Sequence, residues 1–125
     1  MATKLYARPL SSKMKYKLYF NGNVVGTVSH EDENFPNLFG RYDILPSFEQ
    51  QGGLVNEFIK YSVEASMLME EDQNKWQEFM EAEEPKFIEL IESDRWILVD
   101  ESGEIHNILI PNFCSNNEIV WRWNP

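Results

Sequence analysis

The strongest constraint on the fold is a short N-terminal segment in which charged and apolar side chains alternate. Over residues 13–20, KMKYKLYF, three lysines alternate with apolar residues, which is the two-residue period of a strand with one buried face. An Asn-Gly pair follows, and both residues accept the positive φ angles of a tight hairpin turn. We therefore predict a hairpin whose return strand covers residues 24–28, with Val25 and Thr27 on the buried side.

The segment after this hairpin is interpreted as a long connection. Residues 29–46 contain two prolines and a glycine among several aromatic side chains, a composition typical of loops. A short third strand over residues 41–45 is the alternative. Ser47 and Gln50 have the spacing of a capping box, which predicts a helix that starts near residue 47.

The middle of the chain predicts amphipathic helices. Apolar residues recur at helical spacing over residues 54–69 and again over residues 76–80, so each segment has one face suited to burial. Asp72 lies between them and is a good N-cap. Pro85 suits the first turn of a further helix, since its missing N–H is not needed there.

The last third predicts three more strands in sequence, separated by the polar turns ESGE and CSNN. Their spacing indicates an antiparallel meander. Trp96 and Trp121 are predicted to lie in the core, whereas Trp123 is predicted to be partly exposed. The fold class is therefore α+β with two layers, in which central amphipathic helices pack on a small antiparallel sheet formed by the N-terminal hairpin and the C-terminal three-stranded meander.

Length and composition favour one domain. The chain has 125 residues, 42% of them hydrophobic, which suffices for a single core. Residues 14–125 are assigned to this domain, and residues 1–13 are expected to be a mobile extension. No apolar run is long enough to cross a membrane, and the basic N-terminus lacks the apolar run of a secretory signal. Because Cys114 is the single cysteine, a reducing, cytoplasmic location is expected.

The net charge of −10 is concentrated in the middle of the chain. Residues 49–94 hold thirteen acids and three lysines, a difference of −10, and the remaining residues sum to zero. Direct binding of nucleic acid is not expected, since it needs cationic surface to replace counterions. A basic protein partner is compatible with this distribution, and so is the simpler interpretation of solvated helix faces.

Motifs for catalysis are absent from the sequence. It contains no glycine-rich phosphate loop, dinucleotide fingerprint, paired-cysteine metal site or His-Glu-x-x-His, so no catalytic residue, metal or cofactor is predicted. His30 with Asp32 and Glu33 is a possible cation site that the spacing does not favour. His106 could act as a general base, but a partly buried, hydrogen-bonded histidine is favoured.

Two further candidates for chemistry are weak. Cys114 would need an adjacent histidine to act as a nucleophile, and the sequence does not place one beside it. Asp100, Glu101 and Glu104 are interpreted as turn and strand-end residues.

Two function hypotheses follow. The favoured one is a non-catalytic, acidic protein-binding module, in the manner of an immunity or inhibitor protein for a basic bacterial partner. The alternative is a small-molecule-binding protein or small enzyme with a pocket between sheet and helices, near His106 and the tryptophans. The candidate partner-binding residues are helix carboxylates and exposed aromatic or basic residues: Glu78, Glu81, Glu89, Phe39, Arg41, Tyr42, Arg122 and Trp123.

Overall fold

A computed structural model describes residues 14–125 and confirms the predicted α+β class. The predicted extension over residues 1–13 lies outside the described residues. The strands are β1 (Lys15–Phe20), β2 (Asn23–Asn34), β3 (Asn37–Ile44), β4 (Trp96–Asp100), β5 (Ile105–Asn107), β6 (Asn112–Phe113) and β7 (Glu118–Trp121). The α-helices are α1 (Pro46–Gln51), α2 (Leu54–Glu71), α3 (Gln73–Glu83) and α4 (Ile88–Ile91), with 3₁₀ turns at Glu84–Phe87 and Ser115–Asn117.

The N-terminal hairpin forms as predicted, with β1 and β2 antiparallel across the Asn-Gly turn. Asn21 has φ 51° and Gly22 has φ 81°. These are the positive angles that a two-residue hairpin turn requires. The turn is also tied to the next strand pair, because the Asn21 amide donates to the Arg95 carbonyl at 3.1 Å.

The buried face of β2 differs from the prediction. Val25 is buried, but Thr27 is exposed and lies opposite Lys17, while Val28 is buried opposite Tyr16. The register shifts within the hairpin, so that an extra residue of β2 is inserted at Val25. Such a bulge places the residues beyond it on the other face, which the alternation of apolar residues in β1 could not reveal.

The predicted connection is largely a long hairpin instead. β2 extends to Asn34 and pairs with β3, and the turn between them contains Phe35, which is 93% exposed. The polar second half of β2 projects into solvent, so backbone pairing rather than side-chain burial holds it in the ladder. The capping box is also wrong, because α1 starts at Pro46 after Leu45 and no side chain caps it.

The sheet order is β5-β4-β1-β2-β3-β7-β6, with every pair antiparallel. The C-terminal strands therefore form two hairpins at opposite edges rather than one continuous meander. Pro111, which is buried and has no amide to donate to a ladder, lies in the segment that joins the two hairpins. The segments that follow β5 and β7 then meet through an isolated bridge between Ile108 and Trp123.

The core lies between the sheet and α2. Trp96 and Trp121 are 0% and 2% exposed, as predicted, and Phe58 of α2 packs on both Trp96 and Phe113. Asp72 is the N-cap of helix α3, as predicted. Its carboxylate accepts hydrogen bonds from the backbone amides of Asn74 and Lys75. None of the described helices is long and apolar enough to cross a membrane.

Candidate functional site

The three candidate carboxylates lie on the solvent side of the helices. Glu78 and Glu81 are exposed on α3, and Glu89 is exposed on α4. Helix α3 shows this face because its aromatic side is turned towards α2, where Phe79 stacks on Tyr61 with ring centroids 5.5 Å apart. The amphipathic sequence thus sets which side carries the charge.

Little of this helical charge is neutralised locally. In residues 49–94, one ion pair is present, between Lys86 Nζ and Glu83 Oε1 at 2.9 Å. Both side chains are partly exposed, and such pairs stabilise proteins only weakly. The carboxylates therefore act mainly through the field that they create together.

The remaining candidate residues lie on β3 and in and after β7, and the structure gives them different environments. Phe39 is half-buried and pairs with Val120. Arg41 is exposed, and its guanidinium lies 3.7 Å from Glu31 and donates to the Asn116 carbonyl at 3.3 Å.

Tyr42 is half-buried and contacts residues of β6 and the turn that follows it. Its ring packs edge-on against Phe113 with centroids 5.0 Å apart, and its hydroxyl donates to the Cys114 carbonyl at 3.5 Å. Burial, and then the nearby Cys114, raise the pKa of the Tyr42 hydroxyl.

Arg122 and Trp123 follow β7 and are both exposed. Arg122 is exposed, and its Nε donates to Asn37 Oδ1 at 2.9 Å, which orients the guanidinium. Trp123 is 39% exposed, as predicted, and packs its inner side on Tyr16 and Trp121. The structure does not place these two beside the carboxylates of α3 in any described contact.

A groove of mixed charge crosses the sheet face that β1, β2 and β3 share. It has a volume of about 670 Å³, and its charged lining residues are three cations and three acids: Lys15, Lys17, Arg41, Asp43, Asp100 and Glu101. Cross-strand pairing brings Lys15 and Arg41 to this face, since Lys15 lies opposite Ser29 and Ser29 lies opposite Arg41. The charges of the groove balance, whereas the helical face has an excess of carboxylates.

An Asp–His pair organises the β4–β5 hairpin. His106 Nε2 donates to Asp100 Oδ2 at 3.0 Å, and the Asp100 side chain is 8% exposed. Hydrogen bonds from His106 and Ser102, then from the backbone amides of Glu104 and Ser102, hold the pKa of the Asp100 carboxyl far below its usual range. His106 is half-buried and hydrogen-bonded, as predicted.

Aromatic rings enclose this histidine. The Tyr16 ring lies edge-on to His106 with centroids 5.8 Å apart, and the Trp123 ring lies 5.6 Å away. Burial, and then the charge of Asp100, raise the pKa of the Tyr16 hydroxyl. Sequence reasoning treated these residues separately, and the pairing of Asp100 with His106 depends on a hairpin register that composition does not specify.

Cys114 is placed away from nucleophilic chemistry. No hydrogen bond joins it to His30 or His106 in the part of the chain that the structure describes. Burial, and then the nearby Glu118, raise the pKa of the thiol. A raised pKa leaves less thiolate, the reactive form.

A largely apolar groove of about 540 Å³ is lined by residues of α2, of α3 and of the β6–β7 side of the sheet. Its walls include Met69, Trp76, Met80 and Ile110, with Arg122 among the polar residues. This volume falls within the range of small-molecule pockets. The alternative hypothesis placed a pocket near His106, whereas this groove is lined by a different set of residues.

Known proteins give no guide to the function, because no family model, curated protein or solved structure matches the chain.

Proposed function

We propose that this protein is a non-catalytic binding module whose acidic helical face docks a basic protein. The observation that carries the proposal is the concentration of exposed, largely unneutralised carboxylates on α3 and α4, represented by Glu78, Glu81 and Glu89. The excess of ten negative charges between residues 49 and 94 accounts for the whole net charge.

A single-sign surface of this kind acts before contact. Its field raises the rate of encounter with a basic partner, and the effect decreases as salt screens it. The groove on the sheet has no such excess, because its three cations are matched by three acids. A basic partner is therefore attracted mainly to the helical face.

The test compares two triple variants with the same net charge. In the first, Glu78, Glu81 and Glu89 become glutamine; in the control, Glu33, Glu101 and Glu118, which are exposed elsewhere, are changed in the same way. Basic proteins captured from the native cell at low salt are purified, and their association rates are measured by surface plasmon resonance. We expect the helical variant to lose about tenfold in association rate at low salt, with a flatter salt dependence, and the control to lose much less.

Equal losses of association rate in the two variants would mean that only the net charge matters. If neither variant loses association rate, the acidic face is not part of the interface. An immunity or inhibitor role is the kind of function that such steering suits.

A second candidate function is small-molecule binding, favoured by the apolar groove beside Trp76. An anionic aromatic probe such as anilinonaphthalene sulfonate combines an apolar body with a charge that Arg122 could bind. Saturable binding that is lost in Met80→Gln but retained in Met67→Gln would support this function. Met67 is the matched control, since it is exposed on α2 and does not line this groove.

A further inference from the structure

The β4–β5 hairpin brings three ligand-type side chains together. One oxygen or nitrogen atom from each of Asp100, Glu104 and His106 lies within 4.8 Å of the other two. An imidazole nitrogen and two carboxylates form a mixed donor set, the kind that Zn²⁺ accepts. Seven residues, DESGEIH, supply all three, because the tight turn folds the start of β5 back onto the end of β4.

The Asp100 carboxylate is already oriented for this role. Its Oδ1 accepts the Ser102 amide at 2.9 Å, the Glu104 amide at 3.0 Å and the Ser102 hydroxyl at 2.6 Å. Among residues 14–125, its Oδ2 accepts a hydrogen bond only from His106. The turn thus fixes one oxygen and directs the other towards the imidazole, and such outer hydrogen bonds are what orient a metal-binding carboxylate.

The imidazole is also held in place without a metal. Tyr16 and Trp123 pack against the ring of His106 at 5.8 and 5.6 Å. The Nε2 atom therefore stays 3.0 Å from Asp100 Oδ2, close to the roughly 3.3 Å that separates two ligands on one tetrahedral zinc ion. Glu104 is exposed, so its side chain can move the remaining distance, on the order of 1 Å.

We propose that Asp100, Glu104 and His106 bind one Zn²⁺ ion, with water in the fourth position. Zinc takes the place of the Nε2 proton that His106 now donates to Asp100. The zinc–nitrogen bond forms with the Nε2 lone pair, and the displaced proton passes through solvent to Nδ1, so that the imidazole stays neutral. The imidazole selects zinc over Ca²⁺ and Mg²⁺, which prefer all-oxygen sites.

The β2–β3 hairpin offers a comparison within the same chain. It also has one histidine and two nearby acids, His30, Asp32 and Glu33. There, His30 Nε2 lies 3.1 Å from the backbone oxygen of Asp32 and 3.6 Å from Glu33 Oε1. Among the described residues, the Asp100 set alone converges on one point.

The test is isothermal titration of the whole chain with zinc chloride. We expect one site per chain and no displacement by excess calcium chloride. Glu104→Gln should weaken affinity at least about tenfold and His106→Gln at least about 100-fold, because loss of even an outer hydrogen-bonding partner costs a metal site about 10- to 100-fold. His30→Gln, the matched control, should leave the affinity unchanged.

Three outcomes would overturn the proposal. They are no binding at millimolar zinc, equal affinity in wild type and His106→Gln, and loss of affinity in His30→Gln instead. The second would show that zinc binds elsewhere in the chain. If His106→Gln does not fold, Glu104→Gln decides, because Glu104 is exposed at the hairpin and its side chain is outside the core.

Discussion

The sheet and the helical layer are determined in different ways. In the sheet, Gly26 and Gly40 lie so close to the neighbouring strand that a Cβ on either would overlap a carbonyl oxygen. In the helical layer, α3 buries no side chain completely, and α2 has four buried residues. Close backbone packing thus constrains the sheet, whereas α3 packs through partly buried side chains and α2 carries the buried contacts of the helical layer. Their outer face is therefore free to carry charge for binding.

Gly40→Ala is the strongest test of this difference. The new methyl group would overlap the Ser29 carbonyl oxygen and lie 3.3 Å from the Trp121 ring, so β2 and β3 would have to separate. We expect at least about 3 kcal/mol loss of unfolding free energy, measured by urea denaturation. Gln77→Ala, on the exposed face of α3, should change it by less than about 0.5 kcal/mol. A Gly40→Ala protein of normal stability would show that the sheet is more tolerant than proposed.

The sequence predicted those parts of the fold that depend on local signals. The Asn-Gly turn, the Asp72 cap and the burial of Trp96 follow from residue type and spacing. The bulge at Val25 and the separation of the C-terminal strands into two hairpins depend on contacts between distant segments. Residues 30–34 are polar, yet they form a strand because β3 pairs with them. The hydrophobic periodicity of the sequence does not predict this pairing.

Asp100→Asn tests the polar contacts of the sheet when its stability is compared with that of the wild type at decreasing pH. Its expected effect on stability is smaller than that of Gly40→Ala. The folded-state pKa of Asp100 is lowered, so the ionised carboxylate stabilises the folded protein fully at pH values above its unfolded-state pKa of about 3.9. This stabilisation is lost as the pH falls from that value towards the folded-state pKa. We expect Asp100→Asn to lower Tm by several degrees at pH 7 and this difference to shrink below about pH 4. Glu101→Gln, in the same turn, is the control and should show no such trend. A difference independent of pH would contradict the role of the ionised carboxylate.

The candidate sites were predictable to different degrees. Counting charges along the sequence located the acidic segment that contains α3. The helical period of its apolar residues then predicted which side of the helix is exposed. The Asp100 and His106 pair was missed because cross-strand contacts depend on register. The pattern Asp-x₃-Glu-x-His around a glycine-containing turn was the available signal. It places an acid and a histidine on adjacent strands when the turn is tight.

The smallest expected effect is on the stability of the helical variant in which Glu78, Glu81 and Glu89 become glutamine. These side chains are exposed, and glutamine has nearly the same shape and helix propensity. Glu78 and Glu81 are three positions apart on α3, so removing their like charges relieves a weak repulsion. We therefore expect the unfolding free energy to change by less than about 0.5 kcal/mol per site, with any gain greatest at low salt. A large loss in urea denaturation would mean that these carboxylates help to hold the helices in place, and the contrast between a constrained sheet and a permissive helical face would fail.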